Sequence, residues 1–161
     1  MTGDEALAPA AVRELARAAA PELAGYPVVA LGWATVDLEG ILARLEAEGE
    51  MGRFVPAPRD ELLGARAVVH RPEDGEDEPI SILLEPDTEG PIAAALARRG
   101  EGLAAIWFRR GAQAPDVRDA PDEATRRFGR TAGGPLGPAR LLHGGEPWGP
   151  HVLLLEPDRT G

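Results

Sequence analysis

No cysteine, lysine or asparagine occurs among the 161 residues, and serine occurs once, at Ser81. The missing thiols exclude disulfides, thiolate metal sites, iron–sulfur clusters and cysteine nucleophiles. With Ser81 outside any Gly-x-Ser-x-Gly elbow, a serine hydrolase has no support either. No apolar run approaches the roughly 18 residues that a membrane-crossing helix needs, so no membrane partner is expected. The acidic start Met-Thr-Gly-Asp-Glu lacks the basic and apolar regions of a secretory leader, and a cytoplasmic location is expected. There is also a deficit of positive charge: 27 acids face 17 bases, all arginine, for a net charge of −10. A nucleic-acid binder needs a cationic surface, so nucleic acid is not an expected partner. No Walker loop or dinucleotide fingerprint is present, and the glycine-rich Gly133–Gly137 lacks the lysine that would make it a phosphate loop.

What the chain does have is apolar periodicity. Hydrophobic residues make up 43% of it, ample for a core. Residues 1–25 read as an N-terminal helix, with Val12, Leu15, Ala16 and Ala19 on one face and Pro21 with Gly25 closing it. Its face is weakly apolar, so it should dock on something larger. Residues 27–36 read as a buried strand, and 37–48 as a helix capped by Asp37. Phe54-Val55 is a short strand ended by a turn over Pro56–Asp60. Ala65–His70 and Ile80–Glu85 are strands around a solvated acidic loop with five carboxylates between residues 73 and 78. Pro91–Arg99 is a helix stopped by Gly100. Leu103–Arg109 is the next strand. Residues 111–138 read as irregular, with a short helix around Asp122–Phe128. Ala139–His143 and His151–Glu156 are the last strands.

One segment recurs. Ile82-Leu-Leu-Glu-Pro-Asp87 returns as Leu153-Leu-Leu-Glu-Pro-Asp158, 71 residues later. Leu31-Gly-Trp-Ala34 is echoed more loosely in Leu103–Phe108. Two strand–helix–strand–strand–strand units accommodate both repeats.

Ala30-Leu-Gly-Trp-Ala-Thr-Val-Asp-Leu-Glu39 resembles the opening strand and helix of the vicinal oxygen chelate superfamily, which includes glyoxalase I, methylmalonyl-CoA epimerase and the bleomycin-resistance proteins. Leu83–Ile92, followed by Arg99-Gly-Glu-Gly-Leu103, is similar to the epimerase-like members. The resemblance spans residues 27–158. It implies an α+β fold of tandem βαβββ modules curling a mixed sheet around a cavity, with the helices outside. Module one would cover 27–90 and module two 101–158, within a domain of residues 26–161. It also implies a homodimer, and a divalent metal held by one residue from each of four strands. The positions that should carry those ligands are Ala30, Ile82, Ala105 and Leu153. Alkyl groups coordinate no cation, so no metal and no cofactor is expected.

Alternation along a strand lets the inner face be read by parity. Ala30, Gly32 and Ala34 share it on the first strand, Ile80, Ile82 and Leu84 on the fourth. Ala105, Trp107 and Arg109 share it on the fifth, His151, Leu153 and Leu155 on the last. The expected site is therefore an apolar cleft formed by Ala30, Gly32, Ile82, Ala105 and Leu153, with the indole of Trp107, the guanidinium of Arg109 and the imidazole of His151 as its polar or aromatic groups. Trp107 also reads as core filling, Arg109 as a solvated charge and His151 as structural. No catalytic residue is assigned. The expected partner is a small organic molecule, cationic or aromatic, which the protein sequesters, resists or holds for biosynthesis. The competing expectation is a lyase or isomerase with a metal-free or shifted site, built from His151, His70 and an acid. An interaction module with a filled core is the third reading.

Overall fold

The computed structural model describes residues 9–49, 54–70, 79–110, 127–145 and 148–157. The acidic loop and most of the helix expected around residue 122 lie outside them. Helix α1 (Pro9–Ala19) and a short 3-10 turn (Pro21–Leu23) precede the first strand, β1 (Val28–Ala34). Helix α2 (Leu38–Ala47) follows, its cap formed by Asp37 Oδ1 accepting from Gly40 N at 2.9 Å. Strands β2 (Phe54–Asp60), β3 (Ala65–His70) and β4 (Ile80–Pro86) complete the first module. Helix α3 (Pro91–Arg99) connects to β5 (Gly102–Arg109), β6 (Phe128–Ala132), β7 (Ala139–Leu142) and β8 (His151–Leu155). Gly100, at φ 75°, ends α3 with its N–H on the Leu96 carbonyl, a conformation that glycine adopts without strain.

All eight strands form one mixed sheet in the order β2-β3-β4-β1-β5-β8-β7-β6, curled into a half-barrel. The order is symmetric about its centre. β1 pairs parallel with β4, β5 pairs parallel with β8, and β1 and β5 lie side by side antiparallel. This is the α+β arrangement of two modules that the resemblance implies. The recurring segments occupy equivalent places, and so do their glutamates. Glu85 lies near the end of β4 and pairs with Arg66 on β3; Glu156 follows β8 and pairs with Arg140 on β7.

The parity reading of the strands holds. Ala30, Ile82, Leu84, Ala105, Trp107, Leu153 and Leu155 share the concave core, whereas Leu31, Ile106, Phe108, Val152 and Leu154 share the convex one. Helix α1 covers the convex face of β5 and β8 with Val12 and Ala16, assisted by Leu23. Each such aliphatic side chain contributes on the order of 1–3 kcal/mol when fully buried.

Three expectations need correction. Pro56–Asp60 is not a turn: β2 runs through it, because β2 is an edge strand whose outward N–H positions tolerate proline. Within 111–138, residues 128–132 form β6, the opposite edge, whose Phe-Gly-Arg-Thr-Ala has too little apolar alternation to announce a strand. Finally, the helices do not all lie outside. Ile92 and Ala95 of α3 belong to the concave core, so the connecting helix packs into the bowl of the half-barrel.

The two far edges also meet. Glu61 N donates to the Gly133 carbonyl at 3.1 Å, joining the turn after β2 to the loop after β6. Leu63 O accepts from Ile92 N at 3.2 Å, which fixes α3 to the same turn.

Candidate functional site

Strand pairing brings the four expected ligand positions together. Ile82 lies opposite Gly32 across β1 and β4, Ala105 opposite Gly32 across β1 and β5, and Leu153 opposite Trp107 across β5 and β8. Ala30, Ile82, Ala105 and Leu153 belong to one core cluster and each has zero exposure. Their side chains are alkyl, with no lone pair to offer a cation. Among the described residues, no group of three histidine or acidic side chains could hold a metal ion. The donor set therefore does not fit a divalent metal at this place.

The hollow expected between those four residues is closed. Trp107 has zero exposure and fills it. Aligning the recurring segments makes Ile82 equivalent to Leu153, and hence their cross-strand partners Gly32 and Trp107 equivalent to each other. The indole occupies the space that a side chain at residue 32 would need: a Cβ there would stand 2.6 Å from Trp107 Cζ3 and 2.9 Å from Leu84 Cδ1. Ile92 of α3, also with zero exposure, belongs to the same cluster. A residue without accessible surface touches no water-sized space, so Ala30, Ile82, Ala105, Trp107 and Leu153 line no open cavity in this conformation. They form a packed floor.

Two polar members of the expected cleft stand apart. Ala105 pairs with His151 and Arg109 with Leu155 on the parallel neighbours β5 and β8. Four residues of strand therefore separate His151 from Arg109, about 13 Å. Arg109 is exposed at the end of β5, and it cannot share a ligand-sized site with His151. His70, on β3, packs its ring against Phe54 with centroids 4.8 Å apart and the planes tilted by 44°, a hairpin contact remote in the sheet order from β8.

Of the expected site residues, His151 is the one that lines a recess among the described residues. It is partly buried where β8 begins, and its Nε2 lies 3.2 Å from the Pro91 carbonyl at the start of α3. A carbonyl only accepts, so Nε2 carries the hydrogen and Nδ1 is the acceptor of the neutral ring. Burial holds the imidazole below its ordinary value, against the Pro91 hydrogen bond, and the nearby Arg99 and Arg98 lower it further. Both effects favour the neutral ring. Next to it lies a recess of about 240 Å³, walled by α3 on one side and by the glycine-rich link from β7 to β8 on the other. Sequence reasoning missed this recess because α3 was placed outside the bowl.

A second group escaped sequence reasoning. Asp60 ends β2 and is 1% exposed. Its Oδ1 accepts from Leu62 N and Leu63 N at 3.0 and 2.8 Å, which forms the turn into β3. Its Oδ2 has no hydrogen-bond partner among the described residues. A Cβ on Gly134 would come within 3.1 Å of that oxygen. Burial pushes the carboxyl up to about 6, although the two backbone N–H groups oppose the shift. A turn signal of Asp followed by polar residues was legible; its burial depends on the loop from the other module.

No family model and no curated protein matches the chain. Solved structures do. The chain is similar to methylmalonyl-CoA epimerase from Mycobacterium tuberculosis at 18% identity and TM-score 0.60, covering 81% of this chain and 87% of that one. It is similar to Streptomyces coelicolor methylmalonyl-CoA epimerase in complex with 2-nitronate-propionyl-CoA at 25% identity and TM-score 0.55, covering 80% and 94%. A hypothetical protein from Bacillus halodurans matches at 18% identity and TM-score 0.59, covering 84% and 97%. The chain thus has the fold of the vicinal oxygen chelate superfamily, with alkyl groups at the four strand positions where the resemblance calls for metal ligands.

Proposed function

We propose that the chain is a small-molecule-binding protein that works without a metal at the four inward strand positions, and that its ligand enters at the His151 end of the concave face. The observation that carries this reading is the packed centre: Trp107 over Gly32, among Ala30, Ile82, Ala105 and Leu153, all with solvent removed. A chelate needs oxygen or nitrogen ligands and an open coordination position, and this centre supplies neither. The nearby recess has what a ligand site requires, namely apolar walls from Ala95 and Leu141 with a few orienting polar groups. The test is a thermal-shift screen of aromatic and acyl compounds beside elemental analysis of the purified protein. Saturable stabilisation by some compounds is expected, since a ligand that binds only the folded state stabilises it. A stoichiometric transition metal that disappears on His151→Ala would overturn the metal-free reading, and no stabilisation by any compound would overturn the binding reading.

A second reading is favoured by one observation. His151 is a neutral imidazole with Nε2 engaged and Nδ1 without a partner among the described residues, which is the state of a general base. A metal-free lyase or isomerase would use it to remove a proton next to a carbonyl. Exchange of that proton with solvent deuterium, abolished by His151→Gln, supports the enzyme; exchange that is absent or unaffected removes it.

A further inference from the structure

The β2–β3 hairpin and the β6–β7 hairpin stand at opposite edges of the sheet order, yet their tips meet. Module one contributes the turn of residues 61–64, and module two the loop of residues 133–138. Glu61 N donates to the Gly133 carbonyl between them. Leu62 and Leu63 on one tip and Leu136 on the other pack with the concave core, so the meeting tips close over the bowl. Asp60 lies at this junction. Its Oδ1 is committed to Leu62 N and Leu63 N, while Oδ2 is buried against Gly134 with no hydrogen-bond partner among the described residues. The place where a Cβ on Gly134 would stand is 3.1 Å from Oδ2 and 3.5 Å from the Gly137 carbonyl oxygen. A second acceptor, not a donor, shares that space, and a carboxylate gains nothing from it. A neutral carboxyl fits there at little cost, whereas a buried charge with one bare oxygen is driven towards water.

The charged groups nearby do not cure this. Arg59 favours the ionised carboxyl, but its own guanidinium is held by both oxygens of Asp87, at 2.6 and 2.7 Å. Glu61 opposes ionisation. Glu89, in the connection from β4 to α3, and Arg130, on β6, are exposed. The loop of residues 133–138 contains no titratable side chain. We infer that the two hairpin tips form a gate over the concave face and that Asp60 is its proton-operated latch. The gate is closed while the carboxyl is neutral. Ionisation draws Oδ2 out to water, and the loop that carries Leu136 lifts from the core. Release also frees the first turn of α3 from the tip, because Leu63 O accepts from Ile92 N, next to the Pro91 carbonyl that holds His151. The device works whichever ligand the protein takes.

The test is amide hydrogen exchange of the whole protein at pH 5 and pH 7, corrected for the intrinsic effect of pH on exchange. The reporters are Glu61 N–H and Ile92 N–H, whose bonds tie the first tip to its neighbours. The references are the amides of the central strands β1 and β5. The closed latch raises the carboxyl from 3.8 to about 6, so opening grows as pH rises through that window and levels off above it. The reporters should exchange about tenfold more readily at pH 7 than at pH 5. Low urea should leave their rate unchanged, as for a local opening that exposes little surface. In Asp60→Asn both should stay protected, with no change between the two pH values. Leu136→Cys, in a chain with no other cysteine, gives a second readout that leaves Asp60 in place. Its reaction with a dipyridyl disulfide, relative to an unstructured cysteine peptide, should also rise about tenfold. Reporters that exchange only through the urea-sensitive opening that releases β1 and β5 overturn the gate. Opening that ignores pH, or whose pH dependence survives Asp60→Asn, overturns Asp60 as the latch. A Leu136→Cys rate that does not change with pH overturns the lifting of the loop.

Discussion

The two modules meet at the centre of the sheet and again at its far edges, and at each place one contributes a side chain and the other a glycine. At the centre, Trp107 of β5 fills the space above Gly32 of β1. At the edges, Asp60 of β2 lies under Gly134, in the loop after β6. A pair of similar modules related by an approximate two-fold would place like against like at such a contact, and two tryptophans or two carboxylates cannot occupy one space. The chain resolves the conflict by making the halves unequal. The comparison also explains why the centre of the bowl is packed: the bulk of Trp107 on one side fills the space above Gly32 on the other.

The largest effect should come from the central contact. Trp107→Ala removes a fully buried indole that has little means of collapse beneath it, and a loss of about 3–5 kcal/mol of stability is expected in urea denaturation. Gly32→Ala places a Cβ 2.6 Å from the indole and should cost about 1–3 kcal/mol through overpacking. The sharper measurement is the pair. In a Trp107→Phe background the six-membered ring that crowds residue 32 is gone, so Gly32→Ala should cost markedly less than it does alone. Strictly additive costs would break the idea that the halves are complementary here.

The edge contact should respond to pH. The folded protein raises the Asp60 carboxyl to about 6, above its ordinary 3.8. Between those values the folded state retains a proton that the unfolded chain has released. Stability from this group is therefore full below pH 4, falls as pH rises towards 6, and is flat beyond. A shift of this size corresponds to about 2–3 kcal/mol. Asp60→Asn keeps an acceptor for Leu62 N and Leu63 N and removes the charge. It should be more stable than the parent at pH 7, with the difference vanishing towards pH 4. A difference that does not change with pH would mean that Oδ2 finds a partner in solution.

Which parts of this were legible in the sequence follows from what each part depends on. The inward parity of Ala30, Ile82, Ala105, Trp107, His151 and Leu153 needed only the two-residue period of a strand, and the recurring Leu-Glu-Pro segments marked the symmetric topology. Strands β2 and β6 were obscured for the same reason as each other. They are edges, and half-exposed chain with Pro56, Pro58 or Gly129 carries little apolar alternation. The closed centre was harder to foresee, since Trp107 fits only because Gly32, in the other module, has no side chain. The position of α3 decided the rest. A helix of Ala, Leu and Arg does not state which face of a curled sheet it will cover, and with α3 inside the bowl His151 came to face a recess while Arg109 was left at the opposite strand end.

The smallest effects should come from the glutamates at the ends of β4 and β8, Glu85 and Glu156, which look equivalent by sequence. Their surroundings differ. Glu85 accepts from Leu38 N at 2.9 Å, capping the first turn of α2, besides pairing with Arg66. Glu156 pairs with Arg140, and Thr131 Oγ1 donates to it at 3.4 Å, with no helix end involved. A buried or half-buried N–H left without its acceptor costs about 1 kcal/mol, whereas an exposed ion pair contributes little and less still in salt. Glu85→Ala should therefore lower stability by about 1 kcal/mol at any ionic strength, while Glu156→Ala should stay within about 0.5 kcal/mol and lose even that effect in 1 M salt (a screening length of about 3 Å). Equal losses at the two sites would show that the module ends are interchangeable, and that only the meetings between the halves have diverged.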